Sequence, residues 1–463
     1  MFDFLEKNAE AILTRALQNG GDLAEIYFEE REATMAGFED NKAERINSGS
    51  DRGAGVRLLS GERTLYAYTN DLTLDGFLQV ADTVADGLSG AEKAPPNFAF
   101  NSARHAQPVE KPPSEMSTTD KLELIREANA AARDVDARVR QVAITYGDSL
   151  KRVIIVNSQG VFVEDVRPQI IFMVQAVAAG GSTIQTGRRT AGGVMGLELF
   201  DQCPPARLAR EAAEQARLML GADPAPTGRM PVVLSSEAGG TMIHEAVGHG
   251  LEADHIDKGM SKYCGRMGEE IATPAVTVVD DGALAQRRGT CNVDDEGTVM
   301  QRTVLIDRGV LVAFMNDLRT ARKLGHAPTG NGRRESYQHK PVPRMTNTLI
   351  EPGNDDPAGI LASTDHGLFV RRMGGGQVNP LNGDYVFEVS EGYLIKDGKA
   401  ETPVRSATLV GNGPETLMNI DGVGSDLGFD IGTCGKAGQG VPVSDAQPTL
   451  RVTELTVGGT ADK

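Results

Sequence analysis

The amino-acid sequence predicts an α+β protein with two unlike halves: an N-terminal half of layered helices and strands, and a C-terminal half of curved, barrel-like antiparallel β-sheet. In the first half, helical and β-rich periods alternate. The segment DPAPTG at 223–228 is typical of a boundary. Beyond it, short β-rich runs and many glycines replace the long amphipathic helices. Because 463 residues exceed what one core usually serves, we expect two domains, at 1–222 and 229–463.

The first ninety residues predict a helix, strands and a second helix. Five apolar side chains share one face of the opening helix: Leu5, Ile12, Leu13, Ala16 and Leu17. Asp3 and Glu6 fit a capping box at its start. β-rich runs follow at 24–40 and 54–69, the second interrupted by a Ser-Gly turn, and a helical period covers 72–88. Residues 91–118 are proline-rich and aperiodic, which predicts a linker or long surface loop.

The same kinds of element recur up to the boundary. Helices are predicted over 119–135 and 204–222, with strands between them at 138–149, 152–160 and 169–178. In the second half, two segments are hairpin-like, with a turn signal between β-rich runs: 303–315 and 385–399. The one convincing helix near the start of this half carries TMIHEAVGHGLEADH, residues 241–255.

Composition and charge limit the classes of partner. The net charge of −17 argues against nucleic acid or an anionic membrane as the main partner. The N-terminus has no basic segment followed by an apolar one, and no apolar run is long enough to span a bilayer. Four widely spaced cysteines form no CxxC pair, which argues against a disulfide framework. We therefore expect a cytoplasmic protein.

The segment HEAVGH resembles the metalloprotease pattern H-E-x-x-H with one extra residue. Residues five apart lie about 140° apart around a regular α-helix, so His244 and His249 could not both reach one metal ion. A π-bulge, or an early helix end at Gly248, would bring them together. The spacing therefore predicts an irregular helix. The alternative, a structural or surface histidine pair, is the commoner meaning of such a pattern.

Glu245 occupies the place of the glutamate that takes a proton from metal-bound water in H-E-x-x-H proteases. A catalytic zinc also needs a third protein ligand and an open position. The candidates for that ligand are His255, Glu252, Asp254, His339 and the cysteines Cys203, Cys264, Cys291 and Cys434. Cys434 stands out because glycines flank it, but spacing alone does not choose among them.

Three segments, in order, carry a resemblance to a known family: HEAVGHGLEADH (244–255), TGNGRRESYQHKPVPRMTNTLIEPG (329–353) and GTCGKAGQGVPVSDAQP (432–448). Together they resemble the TldD/PmbA family of metallopeptidases, and within it the catalytically competent TldD type. The resemblance spans the whole chain by layout, but the second half carries nearly all its specificity. It implies one Zn²⁺ per chain, held by His244, His249 and Cys434, with Glu245 as the general base.

The resemblance also implies a function and a partner. It implies a zinc-dependent metallopeptidase of unfolded or flexible peptides that works as the active subunit of a heterodimer. The partner would be a sister PmbA/TldE-like subunit that lacks the zinc motif. An extended peptide could be bound by strand addition at a sheet edge, through main-chain hydrogen bonds that ignore sequence.

The segment at 330–341 holds candidate substrate-binding side chains. Arg334, Tyr337 and His339 could donate hydrogen bonds to the oxyanion of a tetrahedral intermediate. The alternative is a basic surface loop packed against the acidic second half.

Two other functions stay open on the sequence. One is an assembly or scaffold protein whose zinc is structural and is closed by a fourth ligand, for which His255 or Asp254 are nearest. The other is a metal-dependent hydrolase of a non-peptide substrate.

Overall fold

The computed structural model describes residues 1–89 and 98–460. The helices of the first half are α1 (Phe2–Leu17), α2 (Leu74–Asp86), α3 (Thr118–Arg133), α4 (Leu199–Gln202) and α5 (Pro205–Leu220). Its strands are β1 (Leu23–Glu39), β2 (Lys42–Ser60), β3 (Arg63–Thr69), β4 (Asn101–Ala106), β5 (Val139–Asn157), β6 (Val161–Gly180) and β7 (Thr183–Gly193). The four long helices that the structure describes in this half, α1, α2, α3 and α5, are all predicted by the apolar period.

These strands form one sheet in the order β3-β2-β1-β5-β6, with β4 and β7 pairing with different stretches of β6. Helices α1 and α2 cover one end of a sheet face, and α3 and α5 cover the other end. The opposite face places Tyr27 and Ile155 against Val293 and Tyr337 of the second half. The sheet is therefore the layer that joins the two halves.

Several details differ from the sequence predictions. The capping box is wrong, because α1 starts after Met1 and Asp3 lies in its first turn. The runs at 138–149 and 152–160 form the single strand β5, since the two residues between them, Leu150 and Lys151, pair with both β1 and β6. The polar strand β7 has no apolar alternation to reveal it.

The predicted loop at 91–118 begins in residues 90–97, which lie outside the described residues. The rest of it is more ordered than expected. It contains β4, which pairs in parallel with Val161–Val166, and a one-turn 3₁₀ helix at Pro113–Glu115. Backbone pairing with β6 supplies the order that the composition does not predict.

The second half is dominated by strands, most of which are short. They are β8 (Asp223–Pro224), β9 (Gly228–Leu234), β10 (Val278–Asp281), β11 (Arg302–Asp307), β12 (Val310–Leu311), β13 (Gly332–Arg333), β14 (Val342–Pro343), β15 (Asn347–Ile350), β16 (His366–Val378), β17 (Asp384–Lys396), β18 (Lys399–Arg405), β19 (Ala407–Asn412), β20 (Ile420–Val423), β21 (Gly428–Lys436), β22 (Gln439–Gln447) and β23 (Leu450–Gly458). The helices are α6 (Thr241–Ile243), α7 (Ala253–Asp257), α8 (Leu318–Leu324), α9 (Pro357–Ala362) and α10 (Gly413–Met418).

Within the described part of the chain, five of these strands close into a barrel in the order β16-β9-β23-β19-β17, with β17 pairing back to β16. The barrel-like sheet predicted for this half is therefore confirmed. A second sheet runs β12-β11-β10-β15-β22-β21. Apolar side chains of the barrel, among them Leu234, Val370 and Phe387, share one core with Ile243 and Val247 of the HEAVGH segment.

One hairpin prediction holds and one does not. Residues 303–315 contain the hairpin β11–β12. Residues 385–396 instead lie in the single strand β17, whose first part pairs with β19 and whose last part pairs with β18. The turn comes later, at Asp397 and Gly398, both of which have positive φ. The strand changes pairing partner, from β19 to β18, where the sequence predicts a turn.

Candidate metal centre

The HEAVGH segment forms an irregular helix, as its spacing predicts. Helix α6 passes into a π-helical turn at His244–Gly248 and then into a 3₁₀ turn at His249–Leu251. The backbone N–H of His249 donates to the carbonyl of His244, a bond between residues five apart. The two imidazole rings therefore meet, with centroids 5.0 Å apart and planes at 88°.

Gly248 is needed in this turn, but not for the backbone freedom that glycine gives to a bulge or a helix end. Its backbone is ordinary right-handed helix, with φ −54°. A Cβ at this position would lie 2.1 Å from Sδ of the buried Met345. Glycine is required here because the turn packs closely against Met345, which precedes β15, and not because of a special backbone angle.

The third member of the cluster comes from the far end of the chain. Strand β21 places the Cys434 Sγ 3.5 Å from Nε2 of His249. One ligand atom from each of His244, His249 and Cys434 lies within 4.8 Å of the others. Three donors from two distant segments thus converge on one point.

A carboxylate holds the far side of each imidazole. Nδ1 of His244 lies 2.6 Å from Oδ1 of Asp445, and Nδ1 of His249 lies 2.9 Å from Oε2 of Glu252. A carboxylate that accepts from Nδ1–H fixes the tautomer and leaves Nε2 as the acceptor that faces inward. Both rings therefore present Nε2 to the cluster, where this atom can donate its N–H to the thiolate of Cys434 or, once that proton is lost, bind a metal ion.

The electrostatics of the cluster favour a thiolate. Burial raises the pKa of Cys434, but hydrogen bonds from His244 and His249 outweigh it and lower that pKa to about 5. Burial lowers the pKa of His249, but Glu252 and Cys434 outweigh it and raise that pKa to about 9. A thiolate and two oriented imidazoles form a donor set suited to Zn²⁺.

Glu245 lies beside the cluster on the wall of a cavity of about 1090 Å³. Burial raises the pKa of Glu245, while the neighbouring His244 and His249 lower it, with a net rise. The cavity is lined by residues of β21 and β16 and by residues of β7 of the first half. The cluster therefore opens into a chamber large enough for several residues of a peptide.

The other candidates for the third ligand have different partners. His255 Nδ1 hydrogen-bonds the carbonyl of His249 at 2.9 Å, and Asp254 accepts from Lys436. Glu252 contacts His249 on the side away from the cluster. His339 Nδ1 lies 3.1 Å from Oγ of Ser336. Among the described residues, the cluster contains no fourth histidine, cysteine or acidic side chain.

Arg334, Tyr337 and His339 lie elsewhere. Arg334 is buried, donates to Glu25 at 2.6 Å and stacks on Tyr27 of the first half. Tyr337 packs against Gly53. None of these three residues is among the described residues that line the cavity. Their assignment as substrate-binding residues stays a prediction, and the structure gives Arg334 a contact between the two halves.

Sequence reasoning did not find Asp445, Lys436 or the contribution of β7. Asp445 and Lys436 both lie in the segment 432–448, yet nothing in their spacing distinguishes them from surface charges. Arg188 and Arg189 of β7 line the same cavity as the cluster. Only the packing of the two halves brings them there.

Comparison with known proteins agrees with the site. Three family models match consecutive parts of the chain: PmbA/TldA metallopeptidase domain 1 at 24–88, the central domain at 111–220 and the C-terminal domain at 227–459. The chain is 38% identical over 449 residues to a metalloprotease TldD homolog of Haemophilus influenzae, which covers 95% of this chain and 93% of that one.

The chain belongs to the PmbA/TldD family of metallopeptidases.

Other relatives extend the agreement. A metalloprotease TldD homolog of Buchnera aphidicola is 36% identical over 97% of this chain and 95% of its own, and a metalloprotease of Methanothermobacter thermautotrophicus is 35% identical over 91% and 92%. Because these relatives are metalloproteases, we conclude that the protein is a metal-dependent peptidase. Three solved structures at 20–22% identity share its fold, among them TldE from Thermococcus kodakarensis, with a TM-score of 0.78 over 98% of this chain and all of that one. In the described residues, no helix is long and apolar enough to cross a membrane.

Proposed function

We propose that this chain is a zinc-dependent peptidase of unfolded or flexible polypeptides, with one Zn²⁺ held by His244, His249 and Cys434 and with Glu245 as the general base. The observation that carries the proposal is the convergence of the three ligand atoms within 4.8 Å at the wall of the cavity. The donor set fits zinc, since each imidazole has Nδ1 committed to a carboxylate and Nε2 facing the thiol. A bound zinc ion would supply Lewis acidity for the scissile carbonyl and for the attacking water.

The role of Glu245 follows from its position. Its carboxylate lies on the cavity wall next to His244, and burial raises its pKa above the usual value of a glutamate. A carboxylate of this kind accepts a proton from the attacking water and returns it to the leaving amine. A thiolate ligand lowers the net positive charge of the site, which makes this proton transfer more important.

The substrate is inferred from the edge of β21. In the described part of the chain β21 pairs only with β22, and its residues 429–435 line the cavity. An extended peptide that pairs with this edge would lie next to Cys434 and would be held through its main chain, whatever its sequence. We expect N-methylation of peptide amides beside the scissile bond to lower kcat/KM at least tenfold. Equal turnover of methylated and unmethylated peptides would argue against strand addition.

The partner in this proposal is a sister subunit that lacks the zinc motif. The similarity in fold to TldE supports a partner of this type. The structural-zinc alternative requires a fourth protein ligand. The two nearest candidates, His255 and Asp254, have other partners, so the geometry favours an open position.

Zinc content tests the proposal directly. The wild type, Cys434→Ser and a control, Cys203→Ser, would be analysed for zinc per chain and for hydrolysis of an unstructured peptide. We expect about one zinc in the wild type and in the control, and loss of both zinc and activity in Cys434→Ser. Absence of zinc from the wild type, even after reconstitution with metal and partner, would overturn the proposal.

A further inference from the structure

Strand β21 carries a buried lysine two residues after Cys434. Nζ of Lys436 lies 3.0 Å from Oε2 of Glu252, 2.5 Å from Oδ1 of Asp254 and 3.0 Å from the carbonyl of Pro343. The side chain of Lys436 is 8% exposed and that of Glu252 is fully buried. The three N–H donors of the ammonium thus have three oxygen partners, and its position is fixed.

Together with Cys434, these contacts surround the imidazole of His249. Nε2 of the imidazole contacts Sγ of Cys434 at 3.5 Å, and Nδ1 contacts Oε2 of Glu252 at 2.9 Å. The same carboxylate oxygen accepts from Lys436. Residues two apart in a strand point to the same face, so Cys434 and Lys436 of β21 both point toward His249. Cys434 contacts the imidazole on its Nε2 side, and Lys436 acts on its Nδ1 side through Glu252.

The charge of Lys436 is needed where it lies. Glu252 and Asp254 are both buried, and the same ammonium contacts both. A buried carboxylate without a cation is strongly destabilised and turns toward any other donor or toward water. Arg344 also lies near Glu252, but Lys436 is the lysine that contacts its Oε2 directly. Removal of Lys436 would therefore loosen the carboxylate oxygen that orients His249, although none of these contacts joins Lys436 to a histidine or to Cys434.

We propose that Lys436 is a positioning residue of the metal centre, acting through Glu252 to orient the imidazole of His249. The inference rests on the zinc site proposed above and extends it to a residue outside the ligand set. Lys436 takes no part in proton transfer, and its effect is on how tightly the metal is held.

Zinc affinity, measured by competition with a chromophoric chelator, tests this role. Partners that orient a metal-bound histidine typically contribute 10- to 100-fold in affinity. We expect Lys436→Met to bind zinc at least tenfold more weakly than the wild type. The control is Lys323→Met, because Lys323 also bridges two carboxylates, Asp257 and Glu62, away from the cluster. Its zinc affinity should stay within threefold of the wild type.

A double-mutant cycle separates positioning from general stability. If Lys436 acts through Glu252, then Lys436→Met should cost little further affinity in a Glu252→Gln background. Full additivity of the two losses would overturn the inference, as would wild-type zinc affinity in Lys436→Met. Should Lys436→Met not fold, Lys436→Gln takes its place with the same expected loss. A wild type that binds no zinc would instead refute the zinc site itself.

Discussion

Asp445 and His244 are 201 positions apart in the chain, and their side chains lie 2.6 Å apart, Oδ1 to Nδ1. Asp445 belongs to β22, whose neighbour β21 supplies Cys434. One hairpin therefore provides both a donor of the cluster and the carboxylate that orients another. The metal centre is assembled from two segments, the π turn and this hairpin, and each is incomplete without the other.

We expect Asp445→Asn to lower zinc affinity by 10- to 100-fold while the protein stays folded. The amide keeps the shape of the carboxylate but lacks the charge that holds Nδ1–H of His244. Chelator competition measures the loss. Asp421→Asn is a suitable control, since Asp421 pairs with Arg451 at the surface, away from the cluster. Equal affinities in the two variants would show that the His244–Asp445 contact does not support the metal.

Glu245→Gln should retain about one zinc per chain and lose peptide hydrolysis by roughly 10²- to 10⁴-fold. The amide fills the same space on the cavity wall but cannot accept the proton. Zinc analysis and turnover of an unstructured peptide, measured on one preparation, separate binding from chemistry. Glu388→Gln removes another carboxylate from the same cavity and is expected to retain most of the activity. Near-normal turnover by Glu245→Gln would exclude this residue as the base.

How much of this site the sequence predicts depends on how local each signal is. The five-residue spacing of His244 and His249 predicts the irregular helix, because helix periodicity is local. The family resemblance singles out Cys434. The roles of Asp445 and Lys436 depend on the register of β21 with β22, and register between strands is set by tertiary packing.

The same distinction explains the fold. Amphipathic helices can be predicted from the period of their apolar residues. The polar strand β7 has no such period, and it is ordered by its pairing with β6. The domain division at 1–222 and 229–463 stays a prediction, because extensive buried contacts join the two parts. Arg334 belongs to these contacts, which its sequence neighbourhood did not reveal.

Arg334→Met is expected to destabilise the protein by about 3–5 kcal/mol, since it leaves buried Glu25 without one of its two cations. Both side chains of the Arg334–Glu25 pair are fully buried. Urea unfolding, with zinc content held constant, measures the loss. Arg15→Met breaks an ion pair with Asp82 whose side chains are 45% and 40% exposed, and should cost less than about 1 kcal/mol. If Arg334 instead binds substrate, its variant would unfold like the wild type and show a raised KM.

The buried contacts between the halves should also make stability depend on pH through Glu296. This side chain is fully enclosed, and it accepts from Arg57 at 2.5 Å and from the backbone N–H of Leu318 at 2.7 Å. Burial raises the pKa of Glu296 to about 8, helped by Asp317, Asp294 and Glu25, although Arg57 lowers it. Carboxylates outnumber guanidinium groups around it, so a neutral carboxyl is favoured in the folded protein.

The direction in which stability changes with pH follows from the number of protons bound by the folded and the unfolded state. A group whose pKa is raised on folding stabilises the native state fully below its unfolded value, near 4.5, and this stabilisation is lost as pH rises toward about 8. We expect the free energy of unfolding of the wild type to fall between pH 5 and 8 more steeply than that of Glu296→Gln, which cannot ionise. Urea unfolding of both proteins at several pH values gives the difference curve. Parallel curves across this range would mean that Glu296 is already ionised in the folded protein, and that Arg57 compensates its burial in full.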